Sequence, residues 1–179
     1  MTKDNLPPPP TLSAKQRKRI ELLRAKRIKP KTRGEKVICF IERYLRVPEG
    51  KRVGEKVVLD EFQLVFILAV YDNPHETDTA ILSIARKNAK TGTIAFLVLA
   101  HVVGPEAVQN SRIVSGAQSR EQASEVYNLA SKCALMSPKI APIVRLVPSS
   151  KKIIGLVMNV EYQATSADAK TAHGKSPIL

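Results

Sequence analysis

The chain has 179 residues and carries 29 Lys+Arg against 16 Asp+Glu, a formal net charge of +13. That length suits one ordinary domain with a real core and not two large ones. A composition of 44% hydrophobic and 25% charged residues is globular and excludes a disordered chain. The longest apolar run, Phe62 to Val70, reaches about half of the roughly 20 residues that a bilayer span needs. The N-terminus, Met1-Thr2-Lys3-Asp4-Asn5 followed by Pro7-Pro8-Pro9-Pro10, has no apolar signal core, so neither a membrane span nor secretion is expected. Cys39 and Cys133 lie far apart without CxxC spacing, which argues against a disulfide framework or zinc site and fits a reducing cytosol.

The charge is unevenly placed. Residues 1–56 hold 17 Lys+Arg and 6 Asp+Glu, net +11, whereas the rest holds 12 and 10, net +2. After the polyproline stretch, Ser13-Ala14-Lys15-Gln16 has the form of a capping box opening a basic helix with Lys15, Arg17, Lys18, Arg19, Arg24, Lys26 and Arg27, stopped by Pro30. Such a helix suits nucleic-acid phosphates, and equally a solvated basic tail; residues 1–33 are read as a basic, partly disordered arm. A second helix, Gly34 to Leu45, puts Val37, Ile38, Ile41, Tyr44 and Leu45 on one apolar face and ends before Pro48-Glu49-Gly50.

Residues 34–179 read as α/β. Asp60 to Tyr71 is a predicted helix. Thr79 to Ala85 is an apolar run suited to a parallel strand buried on both faces. Lys90 to Val103 is a helix ended by Gly104-Pro105, and Arg112 to Gly116 a second buried strand. Ser119 to Met136 is a long helix capped by Ser119 with Gln122, and Ile143–Val147, Ile153–Gly155 and Val157–Ala164 are short β pieces. This alternation predicts a parallel sheet with flanking helices.

One stretch carries chemistry. Ser83-Ile84-Ala85-Arg86-Lys87-Asn88-Ala89-Lys90-Thr91-Gly92 lies between a predicted strand and a predicted helix and ends in the Lys-Thr pair of a P-loop. Backbone N–H groups at the helix start would cradle a phosphate, Lys90 would reach the β/γ-phosphates, and the Thr91 hydroxyl would help hold Mg²⁺. Against GxxxxGK(S/T), both glycines are replaced, by Ile84 and Ala89. Arg86, Lys87 and Lys90 converge on one helix N-terminus, where they repel unless an anion joins them, and Asn88 tolerates unusual backbone angles.

The run Ile84 to Thr91 resembles the variant Walker A loop of the large terminase subunit of tailed bacteriophages, the ATPase that packages DNA into proheads. Leu59-Asp60-Glu61-Phe62-Gln63 resembles that family's adenine-recognising motif, Ser115 to Ala123 its second strand and following helix, and Ser166 to Gly174 the segment before Walker B. The four motifs stand in family order over roughly residues 35–179. The resemblance implies a P-loop NTPase fold of the RecA/ASCE kind, with ATP and Mg²⁺ as cofactors. It makes Gln63 the adenine contact, Arg86 a tentative catalytic arginine acting in cis on the γ-phosphate, Lys87, Asn88 and Ala89 the loop, and Lys90 and Thr91 the phosphate and Mg²⁺ residues. Ala89, where the family usually has glycine, is the main departure.

Walker B has no counterpart downstream of the loop. Val57-Val58-Leu59-Asp60-Glu61 is of the right type but precedes it, and reads as a helix start. Ser176-Pro177-Ile178-Leu179 resembles the first residues of the Walker B strand, so the resemblance implies a partial ATPase domain, incomplete at the C-terminus, without its catalytic carboxylates or the family's nuclease domain, and inactive in hydrolysis alone. The partners implied are double-stranded phage DNA, a small terminase subunit and the portal and prohead, in the bacterial host cytoplasm and with no membrane. The alternative is a non-enzymatic basic nucleic-acid-binding module worked by the N-terminal arm. A small nucleotide kinase is disfavoured because no acceptor-site or lid pattern is present. His75, His101 and His173 lack metal-ligand spacing, and the two cysteines are expected to pack.

Overall fold

A computed structural model describes residues 10–85, 89–117 and 119–166. Arg86, Lys87, Asn88, most of the polyproline stretch and the segment from Ala167 to Leu179, with His173 and the residues that resemble the start of a Walker B strand, lie outside the described residues. Among the described residues, five α-helices and a four-stranded sheet follow in the order α1 (Ala14–Arg24), α2 (Arg33–Tyr44), α3 (Glu61–Tyr71), α4 (Lys90–Val102), β1 (Arg112–Ala117), α5 (Arg120–Met136), β2 (Val144–Val147), β3 (Lys152–Gly155) and β4 (Val160–Ser166).

Helix α1 starts at the expected capping box: the Gln16 N–H donates to Ser13 Oγ at 3.2 Å and the Ser13 N–H to Gln16 Oε1 at 2.9 Å. It ends at Arg24, well before Pro30. Lys26 adopts φ 57, and the Arg27 and Lys26 N–H groups turn back onto the Leu22 and Leu23 carbonyls at 2.9 and 3.0 Å, the pattern of a Schellman stop. Leu12, Ile20 and Leu23 are buried in the same core cluster as the rest of the chain. Three of the helix's arginines pair with acids of the body: Arg17 with Glu61, Arg19 with Glu35, and Arg24 with Glu42. The expected division between residues 33 and 34 therefore falls at the first residue of α2, and the contacts of α1 cross it.

Helix α2 buries Val37, Ile38, Ile41 and, just past its end, Leu45, each worth about 1.5–3 kcal/mol of transfer free energy. Tyr44, expected on the same face, is exposed. At the C-cap of α3, Asp72 accepts from the Gly34 N–H and the Thr32 hydroxyl, both at 2.7 Å, so the end of one helix finishes the start of the other. Helix α4 is apolar nearly all round and buried from Ala95 to Val102, which makes it the central helix, packed on α2, α5 and the sheet.

The sheet runs β1-β4-β3-β2 and is mixed. β1 and β4, joined by a crossover through α5, are parallel from Arg112↔Glu161 to Ala117↔Ser166. β2, β3 and β4 are antiparallel, because their connections at residues 148–151 and 156–159 are too short for a crossover. This corrects the expectation of a parallel sheet. The larger correction concerns Thr79 to Ala85, which forms no strand; Ile81 is 86% exposed. An apolar run becomes a strand only where a neighbour takes its N–H and C=O groups, and none of the described residues does so for this segment. Tyr162 sits fully buried opposite Ile113 and Ile153, its hydroxyl on Ser115 Oγ at 2.7 Å, and burial pushes its pKa up to about 12. Gly155 ends β3 so close to α4 that a Cβ would run into the Val102 carbonyl oxygen.

Candidate functional site

Lys90 and Thr91, the two Walker-type residues within the described segments, occupy the first turn of α4. With Ala85, Ala89, Gly92, Phe96, Leu129 and the loop residues Val47, Pro48 and Glu49 they line a cavity of about 460 Å³. Glu49 is turned to Lys132 of α5, with Nζ to Oε1 at 2.5 Å.

The helix start behind this cavity is unusual within the molecule. Ala89 stands at the N-cap in the left-handed region, φ 52 and ψ 25, and has no side chain able to accept from the first-turn N–H groups. The first turn carries no acid, and its first residue is a lysine. Elsewhere the helix starts are closed: Ser13, Thr32 and Ser119 each accept from the N–H three residues on, and at α3 the Gln63 side chain accepts from the Asp60 N–H at 2.8 Å. The partial positive charge at the start of α4 is thus reinforced by Lys90 and met by no carboxylate in its own turn.

The left-handed turn is held from behind. The Ala89 carbonyl accepts from the Thr93 N–H at 2.9 Å and from the Thr93 hydroxyl at 3.0 Å. Thr93 Oγ1 in turn accepts from Gln63 Nε2 at 2.7 Å. Gln63, expected at the adenine edge, is 4% exposed, does not line the cavity, and uses both ends of its amide within the protein. Thr93 escaped the sequence reading. Its signal was a polar residue four places after the loop alanine at the head of a mostly apolar helix, and Asp60-x-x-Gln63 was a further capping box.

The remaining ionisable residues form structural clusters. At the far end of α4, the Tyr71 hydroxyl meets His101 Nε2 at 2.8 Å, and Arg33, over the Tyr71 ring, pairs with Glu106 at 2.6 Å. Burial raises the Tyr71 pKa and lowers that of His101. Cys39 and Cys133 are buried free thiols, both raised by burial. His75 is exposed, and among the described residues no group of three His, Cys, Asp or Glu side chains is placed to hold a metal. No described helix is long and apolar enough to cross a membrane.

Fold and site together define an α/β protein with a mixed sheet, one of whose helices starts uncapped at a cavity. Comparison with known proteins narrows this. No family model matches the chain. Over 148 residues, 83% of its length, the chain is 66% identical to the terminase large subunit of Enterobacteria phage HK97. It is also similar to the crystal structure of the HK97 bacteriophage large terminase, with a TM-score of 0.77 and 63% identity over 83% of this chain. At that identity the chain is similar, over most of its own length, to one part of a terminase large subunit. It spans 29% of the relative's length and 30% of the solved chain.

Proposed function

We propose that the start of α4 binds the phosphates of ATP together with Mg²⁺, and that the chain is the ATP-binding part of a terminase large subunit whose whole drives packaging of double-stranded phage DNA. The observation that carries this reading is the uncapped, lysine-bearing start of α4 at the mouth of the cavity of about 460 Å³. The N–H groups of the first turn would donate to phosphate oxygens, and Lys90 would add a point charge. Thr91 would help hold Mg²⁺ brought with the nucleotide, and the ion would neutralise phosphate charge. Arg86, by resemblance, supplies further positive charge to the γ-phosphate. A P-loop fold of the RecA kind frames this site. The family further suggests a small terminase subunit, the portal and the prohead as partners, in the host cytoplasm.

Titration of a fluorescent ATP analogue with Mg²⁺ tests the reading. Lys90→Ala is expected to weaken binding at least about tenfold, the loss of roughly one charge-assisted contact. Equal affinity for both proteins would remove the assignment.

A second reading, a basic nucleic-acid-binding module, has one observation in its favour. A cavity of about 720 Å³ between α1 and α2 is lined by Lys26, Arg43, Arg46, Lys56 and Lys139, beside the Arg24–Glu42 ion pair. Because α1 contributes Ile20 and Leu23 to the core, deleting residues 1–33 would expose apolar surface, and charge removal is the cleaner test. Alanine at Lys26, Arg43, Arg46 and Lys56 should flatten the salt dependence of DNA binding by about 0.9 in log–log slope per lost phosphate contact, while Lys90→Ala leaves it unchanged.

A further inference from the structure

We propose that Gln63 is a positioning residue that fixes the left-handed turn at Ala89 through Thr93, and that it does not read the adenine base. The inference rests on the nucleotide reading of the α4 start and changes the part Gln63 plays in it.

The direction of the hydrogen-bond chain is set by chemistry. The Asp60 N–H can only donate, so the Gln63 oxygen faces it at 2.8 Å. The Gln63 amide nitrogen, a donor, is then left for Thr93 Oγ1 at 2.7 Å. The Ala89 carbonyl can only accept, so the Thr93 hydroxyl spends its proton there, at 3.0 Å. Asp60, Gln63, Thr93 and Ala89 thus form a one-way series in which each polar atom has the partner its chemistry requires. Gln63 is 4% exposed and held at both ends of its amide, so its remaining N–H and lone pair meet a base edge only if the side chain leaves this buried position.

The series begins on anchored backbone. The Leu59 N–H donates to Glu42 at 3.1 Å, and the Leu59 carbonyl accepts from Arg24 at 3.0 Å. Glu61 is held by the Leu12 N–H at 3.1 Å and by Arg17 at 2.6 Å. The start of α3 is therefore tied to α1 and α2, and Gln63 carries that fixed position to the turn on which Lys90 and Thr91 depend. An alanine in the left-handed region needs such support, because its Cβ disfavours the conformation.

The experiment compares the full chain with Gln63→Met, Thr93→Val, their double variant and Thr93→Ser, each titrated in Mg²⁺ with ATP, GTP and inorganic tripolyphosphate. Gln63→Met is expected to weaken all three by the same factor, about tenfold. Thr93→Val should do likewise, the double variant should be no worse than either single one, and Thr93→Ser should match the parent. Weakening of ATP with tripolyphosphate untouched would show a base contact and overturn the proposal, as would unchanged binding of all three by a folded Gln63→Met. Hydrogen exchange of the ligand-free protein is the second readout: amides at the start of α4 should exchange faster in Gln63→Met and Thr93→Val, with those at the start of α5 unchanged. Unchanged exchange at α4 would overturn the proposal. If the parent binds none of the three probes, the nucleotide reading fails, and hydrogen exchange alone decides whether the series holds the turn.

Discussion

At the start of α5, Ser119 Oγ accepts from the Gln122 N–H at 3.2 Å and Glu121 stands in the first turn, opposite the sign of the helix dipole. At the start of α4, Ala89 offers no acceptor, the first turn has no acid, and Lys90 adds a positive charge where the dipole is already positive. The segment before α5 is a paired strand, β1, whereas residues 79–85, upstream of α4, are unpaired among the described residues and largely exposed. One helix start is closed by its own side chains, and the other, on the proposed nucleotide reading, is left for an anion. On that reading local stability and ligand affinity are opposed at α4 and not at α5.

The sharpest way to break this contrast is to give α4 the charge that α5 has. Lys90→Glu is expected to weaken Mg²⁺-ATP binding by about 100-fold or more, some 2.7 kcal/mol. It should also stabilise the ligand-free protein by about 0.5 kcal/mol, since an acid replaces a cation at a helix N-terminus. Calorimetric titration and thermal unfolding read the two effects. If both fall together, the residue is structural and the contrast is lost.

Smaller effects of opposite sign are expected at the two N-caps. Ser119→Ala removes a closed cap and should cost about 1 kcal/mol, or roughly 2–4 °C in Tm for a chain of this size, with nucleotide binding unchanged. Ala89→Gly relieves a left-handed alanine and should stabilise by about 0.5 kcal/mol after the added freedom of the unfolded chain is set against it. Urea unfolding of both variants checks the pair. Destabilisation by Ala89→Gly would mean that the turn is not strained.

Much of this contrast was legible in the sequence, and the reasons are local. Ser13 with Gln16 and Ser119 with Gln122 announced their helices because a cap needs only neighbouring residues. Lys90 and Thr91 were placed correctly at a helix start for the same reason. What failed was non-local. Thr79 to Ala85 has strand composition, yet nothing in those residues says which chain segment would pair with them. The mixed sheet follows from the short connections around β3, but reading them required knowing that β4 lies between β1 and β3. Gln63 was singled out by the resemblance of residues 59–63 to an adenine-recognising motif, whereas its partners, Asp60 and Thr93, come from its own helix start and from another helix. The end of α1 was assigned to Pro30 because proline is a visible stop, while Lys26 in the left-handed region is an invisible one.

The start of α2 is the opposite extreme from α4 and gives the smallest, most specific test. There Glu35 is 4% exposed and accepts from the Lys31 and Thr32 N–H groups and from Arg19. Burial alone would raise its pKa, but Arg19 and the two amides outweigh that and hold the carboxyl below its ordinary value of 4.5. The folded value lies below the unfolded one, so the stabilisation is fully present above the ordinary value and is lost as pH falls through it toward the lowered one. Unfolding free energies measured from about pH 6 down to about pH 3 should therefore decline less steeply in Glu35→Gln than in the parent, because the amide keeps an acceptor but does not titrate. Lys90→Ala should leave the slope as it is, since the first turn of α4 contains no carboxylate. If Glu35→Gln follows the parent curve, other carboxylates govern the acid limb, and the closed start of α2 contributes geometry without charge.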